Sequence, residues 1–131
     1  MVGTKVVENI VRKVGLHKRY RIIDNKRIVL SRKPRVLYQP DFALIGEKGF
    51  MVIEIELTTD AVKQLVGDMV RAGLINATHF IGIVSTKSAK RAIDTYGEVL
   101  TKKIREVSRM KVLSVPFIGK SQLERDLEKI L

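Results

Sequence analysis

The centre of the chain, residues 36–57, reads VLYQPDFALIGEKGFMVIEIEL. Two runs rich in β-forming residues, Val36–Ile45 and Phe50–Leu57, are separated by the turn-forming sequence GEKG. In the second run apolar residues alternate with Val52, Glu54 and Glu56. This period of two predicts a strand with one apolar face and one face that becomes acidic towards its end. The segment therefore predicts a β-hairpin.

Three carboxylates of this hairpin are expected to lie close together. If the hairpin is symmetric about Glu47 and Lys48, Asp41 lies directly opposite Glu54, with Cβ atoms about 4.5–5.5 Å apart, and Glu56 follows one step along the same face. Such like charges repel unless solvent, basic neighbours, protonation or a divalent cation relieves them. Clustered oxygen ligands favour Mg²⁺ or Mn²⁺. The alternative is that Glu54 and Glu56 line a solvated sheet face.

The flanking segments predict an α/β fold in which helices cover a mixed central sheet. The predicted order is α-β-β-β-α-β-α-β-α, with a fourth strand before the second helix as an alternative, and we expect a single domain over residues 1–131. The predicted elements are a helix from a Thr4 cap to Gly15, strands Arg19–Ile23 and Arg27–Leu30 joined by a turn at 24–26, a helix from Thr59 or Asp60 to Gly73, strand His79–Ser85, helix Ser88–Arg109, strand Lys111–Phe117, and a terminal helix opened by a Ser121–Glu124 capping box.

The composition excludes several classes of protein. The chain has 131 residues, 25 Lys and Arg against 14 Asp and Glu, a net charge of +11 and no cysteine. Disulfide scaffolds, thiolate zinc sites and cysteine nucleophiles are therefore excluded. No apolar run reaches the roughly 18 residues of a membrane span, and no signal-peptide pattern is present. We expect a soluble, cytoplasmic protein with no membrane partner, and the Lys, Arg, Ile and Val content suits a thermophile.

The positive charge is concentrated between residues 12 and 35, where Asp24 is the single acidic residue. A positive charge this concentrated in one segment favours a polyanionic partner, above all nucleic acid. A solubility surface is the alternative. The candidate nucleic-acid-binding residues are Arg12, Lys13, Lys18, Arg19, Arg21, Lys26, Arg27, Arg32, Lys33 and Arg35.

The acidic residues resemble the motif of the PD-(D/E)xK nuclease superfamily, whose members share the restriction-endonuclease-like fold. Pro40-Asp41 matches the PD element, and Glu54-Ile55-Glu56 matches the (D/E)xK element. Glu8 resembles the acidic residue that many members carry on their first helix. The resemblance, which extends to small archaeal Holliday-junction-resolvase-like nucleases, implies that Asp41, Glu54, the Ile55 carbonyl and Glu8 hold the metal ion.

Glu56 departs from the family motif, because it stands where members carry the lysine that orients or activates water. Some restriction enzymes of the superfamily also carry Glu-x-Glu. Three alternatives follow: Glu56 acts as a general base or a second metal ligand, Lys63 on the next helix supplies the missing cation, or catalysis is lost.

Together with the basic segment, this resemblance implies a metal-dependent endonuclease that hydrolyses phosphodiester bonds of DNA and is selective for DNA structure rather than sequence. Its candidate catalytic residues are Asp41, Glu54, Glu56 and Lys63. By analogy with small nucleases that make two cuts, we expect a homodimer. The alternatives are a catalytically inactive nucleic-acid-binding module on the same fold, or an interaction subunit whose basic face binds an acidic protein.

Overall fold

The computed structural model describes residues 2–131, which form four helices and seven strands. Five strands precede the second helix, whereas the sequence predicts three or four. No helix of this range has both the length and the apolar composition to span a bilayer. The elements are α1 (Val2–His17), β1 (Arg21–Asp24), β2 (Ile28–Arg32), β3 (Arg35–Tyr38), β4 (Phe42–Gly46), β5 (Gly49–Glu56), α2 (Ala61–Leu74), β6 (His79–Val84), α3 (Lys87–Lys103), β7 (Lys111–Pro116) and α4 (Lys120–Ile130).

Five strands form one mixed sheet in the order β1-β4-β5-β6-β7. The pairs β1–β4 and β4–β5 are antiparallel, and the pairs β5–β6 and β6–β7 are parallel. Helices α2 and α3 provide the long connections that parallel neighbours require. The predicted α/β class with a mixed sheet is confirmed.

Each face of the sheet is covered by a pair of helices. On one face Ile53 and Ile81 join the core that α1 and α4 complete with residues such as Val11 and Leu127. On the other face Val52 contributes to a second core with α2 and α3. Successive residues of β5 therefore point to opposite cores, which confirms the alternation read from the sequence.

The central hairpin has the register expected from its symmetry. Ala43 pairs with Val52 and Ile45 pairs with Phe50 across the β4–β5 turn. Gly49 closes this turn with φ of +137°, a backbone conformation that residues with a Cβ atom rarely adopt. The turn sequence therefore sets the register on which the acidic pair depends.

In residues 19–45 one strand prediction is wrong, and the two strands on either side of the predicted turn at 24–26 lie in different sheets. β1 pairs with β4 of the main sheet and not with β2, which instead pairs with β3 in a separate two-stranded sheet. The predicted arm Val36–Ile45 is two strands, β3 and β4, that belong to different sheets. Pro40 lies between them, and its missing N–H interrupts the ladder that a continuous strand would need.

Three helices have boundaries that differ from the prediction. Thr4 and Gly15 lie inside α1, which continues to His17. α3 ends at Lys103 rather than Arg109, because Ile104 adopts an extended conformation. α4 begins at Lys120 after Gly119, so Ser121 lies within the helix and the predicted capping box does not form.

Candidate functional site

Asp41, directly before β4, and Glu54, near the end of β5, lie side by side. Phe42 pairs with Ile53, and the same register continued by one residue places Asp41 opposite Glu54. The Asp41 backbone N–H donates to Glu54 Oε1 at 2.9 Å, and the Ile55 N–H donates to Asp41 Oδ2 at 2.7 Å. The structure therefore brings together the two carboxylates that the sequence pairs, and two backbone groups hold them in place.

The carboxylate of Glu54 is buried, with only 5% of the residue exposed. The Tyr38 hydroxyl donates to Glu54 Oε2 at 2.7 Å. Burial, followed by the nearby negative charge of Asp68, raises the pKa of Glu54 to about 8 despite its hydrogen bonds from Tyr38 and Asp41. The alternative of a solvated acidic face is therefore wrong for Glu54, and this position favours a bound cation or a proton.

Helix α2 adds a third carboxylate that sequence reasoning missed. Burial raises the pKa of Asp68, and Arg71 Nη1 forms an ion pair with Asp68 Oδ1 at 3.2 Å. A sequence signal existed, because Asp68 follows Leu65 by three residues and precedes Ala72 by four, and both are buried. Helical spacing thus places Asp68 beside the inner face of α2. Arg71 is consequently paired with the carboxylate whose negative charge acts on Glu54.

Glu8 and Asp41 line the same cleft, which has a volume of about 240 Å³. Asp41 is only part-buried; burial raises its pKa, and the charges of Glu8 and Glu56 add to this effect. Arg12 crosses the cleft, with Nη2 3.0 Å from Asp24 Oδ2 and 3.6 Å from Glu8 Oε2. The acidic residue expected on the first helix is thus brought to the Asp41 side of the site.

The two candidates for handling the attacking water lie in different surroundings. Glu56 ends β5, and its Oε1 accepts a hydrogen bond from Thr58 Oγ1 at 2.6 Å. Lys63 is exposed on α2 and lines a separate shallow cleft with Tyr96. Over residues 2–131, no hydrogen bond or ion pair joins Lys63 to Asp41 or Glu54. The structure does not bring Lys63 to the acidic pair, and its proposed role stays a prediction.

The acidic pair suits magnesium or manganese, although its protein ligands are few. Among the described residues, no group of three or more His, Asp or Glu side chains is arranged to hold a metal ion. Mg²⁺ is commonly held by only one or two carboxylates together with water and substrate phosphates. Asp41 and Glu54 provide two hard oxygen donors whose negative charges burial leaves poorly solvated. The donor set therefore fits the expected ion.

The ten basic residues divide into two groups. Three form ion pairs within the chain: Arg12 with Asp24, Lys13 with Glu124 at 2.8 Å, and Lys18 with Glu128 at 3.7 Å. The other seven are exposed and make no ion pair within the part of the chain that the structure describes: Arg19, Arg21, Lys26, Arg27, Arg32, Lys33 and Arg35. The sequence counts all ten as candidates for nucleic-acid contact, and the structure leaves seven of them without an internal acidic partner.

Comparisons with known proteins add no relative. No family model matches the chain, and neither a search of curated proteins nor a search of solved structures finds a match. The functional inference therefore rests on the geometry around Asp41 and Glu54 and on the distribution of charge.

Proposed function

We propose that the protein is a metal-dependent endonuclease of the PD-(D/E)xK type, with a restriction-endonuclease-like fold, that hydrolyses phosphodiester bonds of DNA. The observation that carries this proposal is the pairing of Asp41 with Glu54. The Glu54 carboxylate accepts a hydrogen bond from the Asp41 N–H, and the Asp41 carboxylate accepts one from the N–H of Ile55, the residue after Glu54. Two opposed carboxylates, one buried at Glu54 and one part-buried at Asp41, destabilise a sheet unless they have a partner. A divalent cation is the partner that also supports phosphodiester chemistry.

In this mechanism Asp41, Glu54 and the Ile55 carbonyl would hold Mg²⁺ or Mn²⁺, and Glu8 would add an oxygen ligand on the cleft side. A bound divalent ion would supply Lewis-acid chemistry: it would offset negative charge on the scissile phosphate and would lower the pKa of a water molecule. The Tyr38 hydroxyl and the Asp41 N–H orient the Glu54 carboxylate, and the Ile55 N–H orients Asp41. These fixed hydrogen bonds preorganise the ligands, so little rearrangement is needed when substrate arrives.

We assign Glu56 as the group that takes the proton of the attacking water. It belongs to the same strand as Glu54, two residues further along, so both side chains lie on one face of β5. Its partial exposure suits exchange of a proton with solvent. Lys63 is the alternative, and it requires movement of an exposed side chain towards the acidic pair.

Cleavage assays test the proposal with isosteric variants. Branched, single-stranded and linear duplex DNA are incubated with Mg²⁺, Mn²⁺ or EDTA. We expect metal-dependent cutting, strongest on branched DNA, that falls more than about 100-fold in Asp41→Asn and Glu54→Gln, because each amide lacks the negative charge with which the carboxylate binds a divalent cation. Glu47→Gln, an exposed residue of the β4–β5 turn, is the matched control and should cut normally. Full activity of both ligand variants would overturn the proposed site.

The same assay separates Glu56 from Lys63. Loss of a general base costs about 10²–10⁴ in rate, so Glu56→Gln should cut at least about 100-fold more slowly, whereas Lys63→Ala should retain most of its activity. The opposite result would assign the role to Lys63.

A catalytically inactive nucleic-acid-binding module is the second candidate. The favouring observation is Glu56 in place of the motif lysine, together with the separation of Lys63 from the acidic pair. Tight, salt-sensitive DNA binding without cutting under every metal condition would establish this candidate instead. The homodimer is also a proposal, which sedimentation of the protein alone and with DNA checks.

A further inference from the structure

The two-stranded sheet β2–β3 is a basic ribbon that stands outside the five-stranded sheet. We call residues 26–35, which include its turn, the ribbon segment. This segment holds five cations and no acidic residue. All five side chains are exposed: Lys26, Arg27, Arg32, Lys33 and Arg35.

The root of the ribbon is fastened at the acidic pair. Gln39 Nε2, after β3, donates to the backbone oxygen and to Oδ1 of Asn25, before β2, at 3.0 and 2.8 Å. The Asn25 N–H donates to the Asp41 carbonyl at 3.2 Å. Tyr38, the last residue of β3, bonds Glu54 and is buried against α2. The direction of the ribbon is therefore fixed relative to Asp41 and Glu54.

The tip of the ribbon concentrates like charge. Arg32 pairs directly with Arg35 across the two strands, and Lys33 lies in the turn between them. Like charges at opposed positions destabilise a two-stranded sheet. Lys13 of α1 and Lys18, directly after that helix, differ from the tip residues, since both have acidic partners on α4. The arrangement at the tip gives no stability to the fold, which indicates a polyanion outside the chain.

The dimensions of the ribbon fit the major groove of B-form DNA. Paired strands lie about 4.8 Å apart, and five residues of strand extend about 16 Å. A major groove about 12 Å wide admits a two-stranded ribbon, whereas the major groove of A-form RNA is too narrow and deep for side chains to read. The outward-facing Val29 and Val36, 46% and 42% exposed, would be covered by such an insertion.

We propose that the β2–β3 ribbon is the arm that engages B-form duplex DNA, with Arg32, Lys33 and Arg35 contacting phosphates on the two sides of the major groove. Because its root is fastened at Asp41 and Glu54, the ribbon sets the distance between the gripped duplex and the acidic pair. This inference rests on the proposed function in one respect, because it takes the bound duplex as the substrate of that pair. Binding of the duplex by the ribbon does not itself depend on cleavage.

Binding measured in EDTA tests the arm without cleavage. The probe is a fluorescent B-form duplex of about 30 base pairs, and the variant is Arg32→Ala/Lys33→Ala/Arg35→Ala. The matched control, Lys103→Ala/Arg105→Ala/Arg109→Ala, removes the same charge from exposed residues. Arg105 and Arg109 line a cleft with Thr78 and Met110, at the opposite ends of the parallel strands from Glu54.

We expect the tip variant to bind at least about 10-fold more weakly at 0.1 M salt. The magnitude of the slope of log K against log salt should fall by about 2–3, since each lost phosphate contact lowers that magnitude by about 0.9. The control should change the slope by less than about 1. Arg32→Lys/Arg35→Lys, which keeps the charge, should retain most of the affinity, because contacts to phosphates depend mainly on charge. Thermal unfolding of the tip variant checks that the chain still folds.

Several outcomes would overturn the proposal that the ribbon binds duplex DNA. These are equal losses in the tip and control variants, no loss in the tip variant, absence of duplex binding by the wild type at low salt, or equal tip-dependent binding of duplex RNA. Failure of the nuclease proposal is recognised separately. If the wild type cuts no DNA under any metal condition but the tip variant alone loses duplex affinity, the ribbon proposal is supported and the nuclease proposal is wrong.

Discussion

The Glu54 carboxyl group illustrates how one residue links stability to function. Its pKa of about 8 in the folded chain lies above its ordinary value of 4.5 because the side chain is buried and Asp68 is near. As the pH rises from 4.5 to 8, the unfolded chain releases this proton while the folded chain retains it. Folding stability from this group therefore falls with rising pH over that window.

Replacing Glu54 by Gln should therefore raise the stability of the metal-free protein at pH 8. Gln keeps the shape of the side chain and removes the buried charge, and one pKa unit corresponds to about 1.4 kcal/mol. We expect a gain of at least about 1 kcal/mol at pH 8 and little change at pH 4.5, measured by urea unfolding at both pH values.

The control for this prediction is Glu47→Gln, which alters an exposed carboxyl and should change stability by less than about 0.5 kcal/mol at either pH. A loss of stability in Glu54→Gln at pH 8 would contradict the argument. It would mean that Tyr38 and Asp41 stabilise the ionised carboxylate more than burial opposes it.

At the scale of elements, the first residues of α3 and α4 show that a capping motif in the sequence does not always form the capping hydrogen bond. Thr86 caps α3, since its Oγ1 accepts a hydrogen bond from the Ala89 N–H at 3.0 Å. Ser121 and Glu124 have the spacing of a capping box, yet α4 begins one residue before Ser121. A motif match thus identifies a helix start only to within a residue or two.

Alanine substitutions distinguish the two positions. Thr86→Ala should cost about 1 kcal/mol of stability, because the Ala89 N–H loses its partner. Ser121→Ala should change stability by less than about 0.5 kcal/mol, because Ser121 lies within the helix. Chemical denaturation of both variants measures the difference. Equal costs would show that the Ser121 hydroxyl caps α4 after all.

The β4–β5 hairpin and helix α2 show which parts of the candidate site could be predicted from the sequence. The β4–β5 register follows from alternation and from a short turn, both of which are local, so the pairing of Asp41 with Glu54 was predictable. Asp68 and Arg71 were missed, because their approach to Glu54 depends on how α2 packs against β5. Local periodicity indicates the inner face of a helix but not which strand residue that face meets.

At the scale of the whole molecule, the net charge of +11 opposes folding through self-repulsion. Exposed ion pairs such as Lys13–Glu124 act in the other direction, but each contributes only about 0–1 kcal/mol. Repulsion among the unpaired cations is therefore expected to dominate. Salt, which screens both effects, should stabilise the protein.

This balance predicts that the melting temperature rises between about 0.05 and 0.5 M NaCl, conditions over which the Debye length shortens markedly. The rise should be smaller in Arg32→Ala/Lys33→Ala/Arg35→Ala, because the opposed charges of the ribbon tip are gone. Thermal unfolding followed by circular dichroism provides the measurement. A melting temperature that falls with salt would show that the ion pairs between α1 and α4 outweigh the repulsion.

The sequence by itself determined the α/β class, the alternating faces of β5 and the local pairing of Asp41 with Glu54. These depend on residues close in the chain, where periodicity and turn chemistry act directly. Only the tertiary structure decided that β1 joins β4, that β2 and β3 form a separate ribbon, and that Asp68 approaches Glu54. It also decided which cations find acidic partners, because such contacts join residues far apart in sequence through the packing of whole elements.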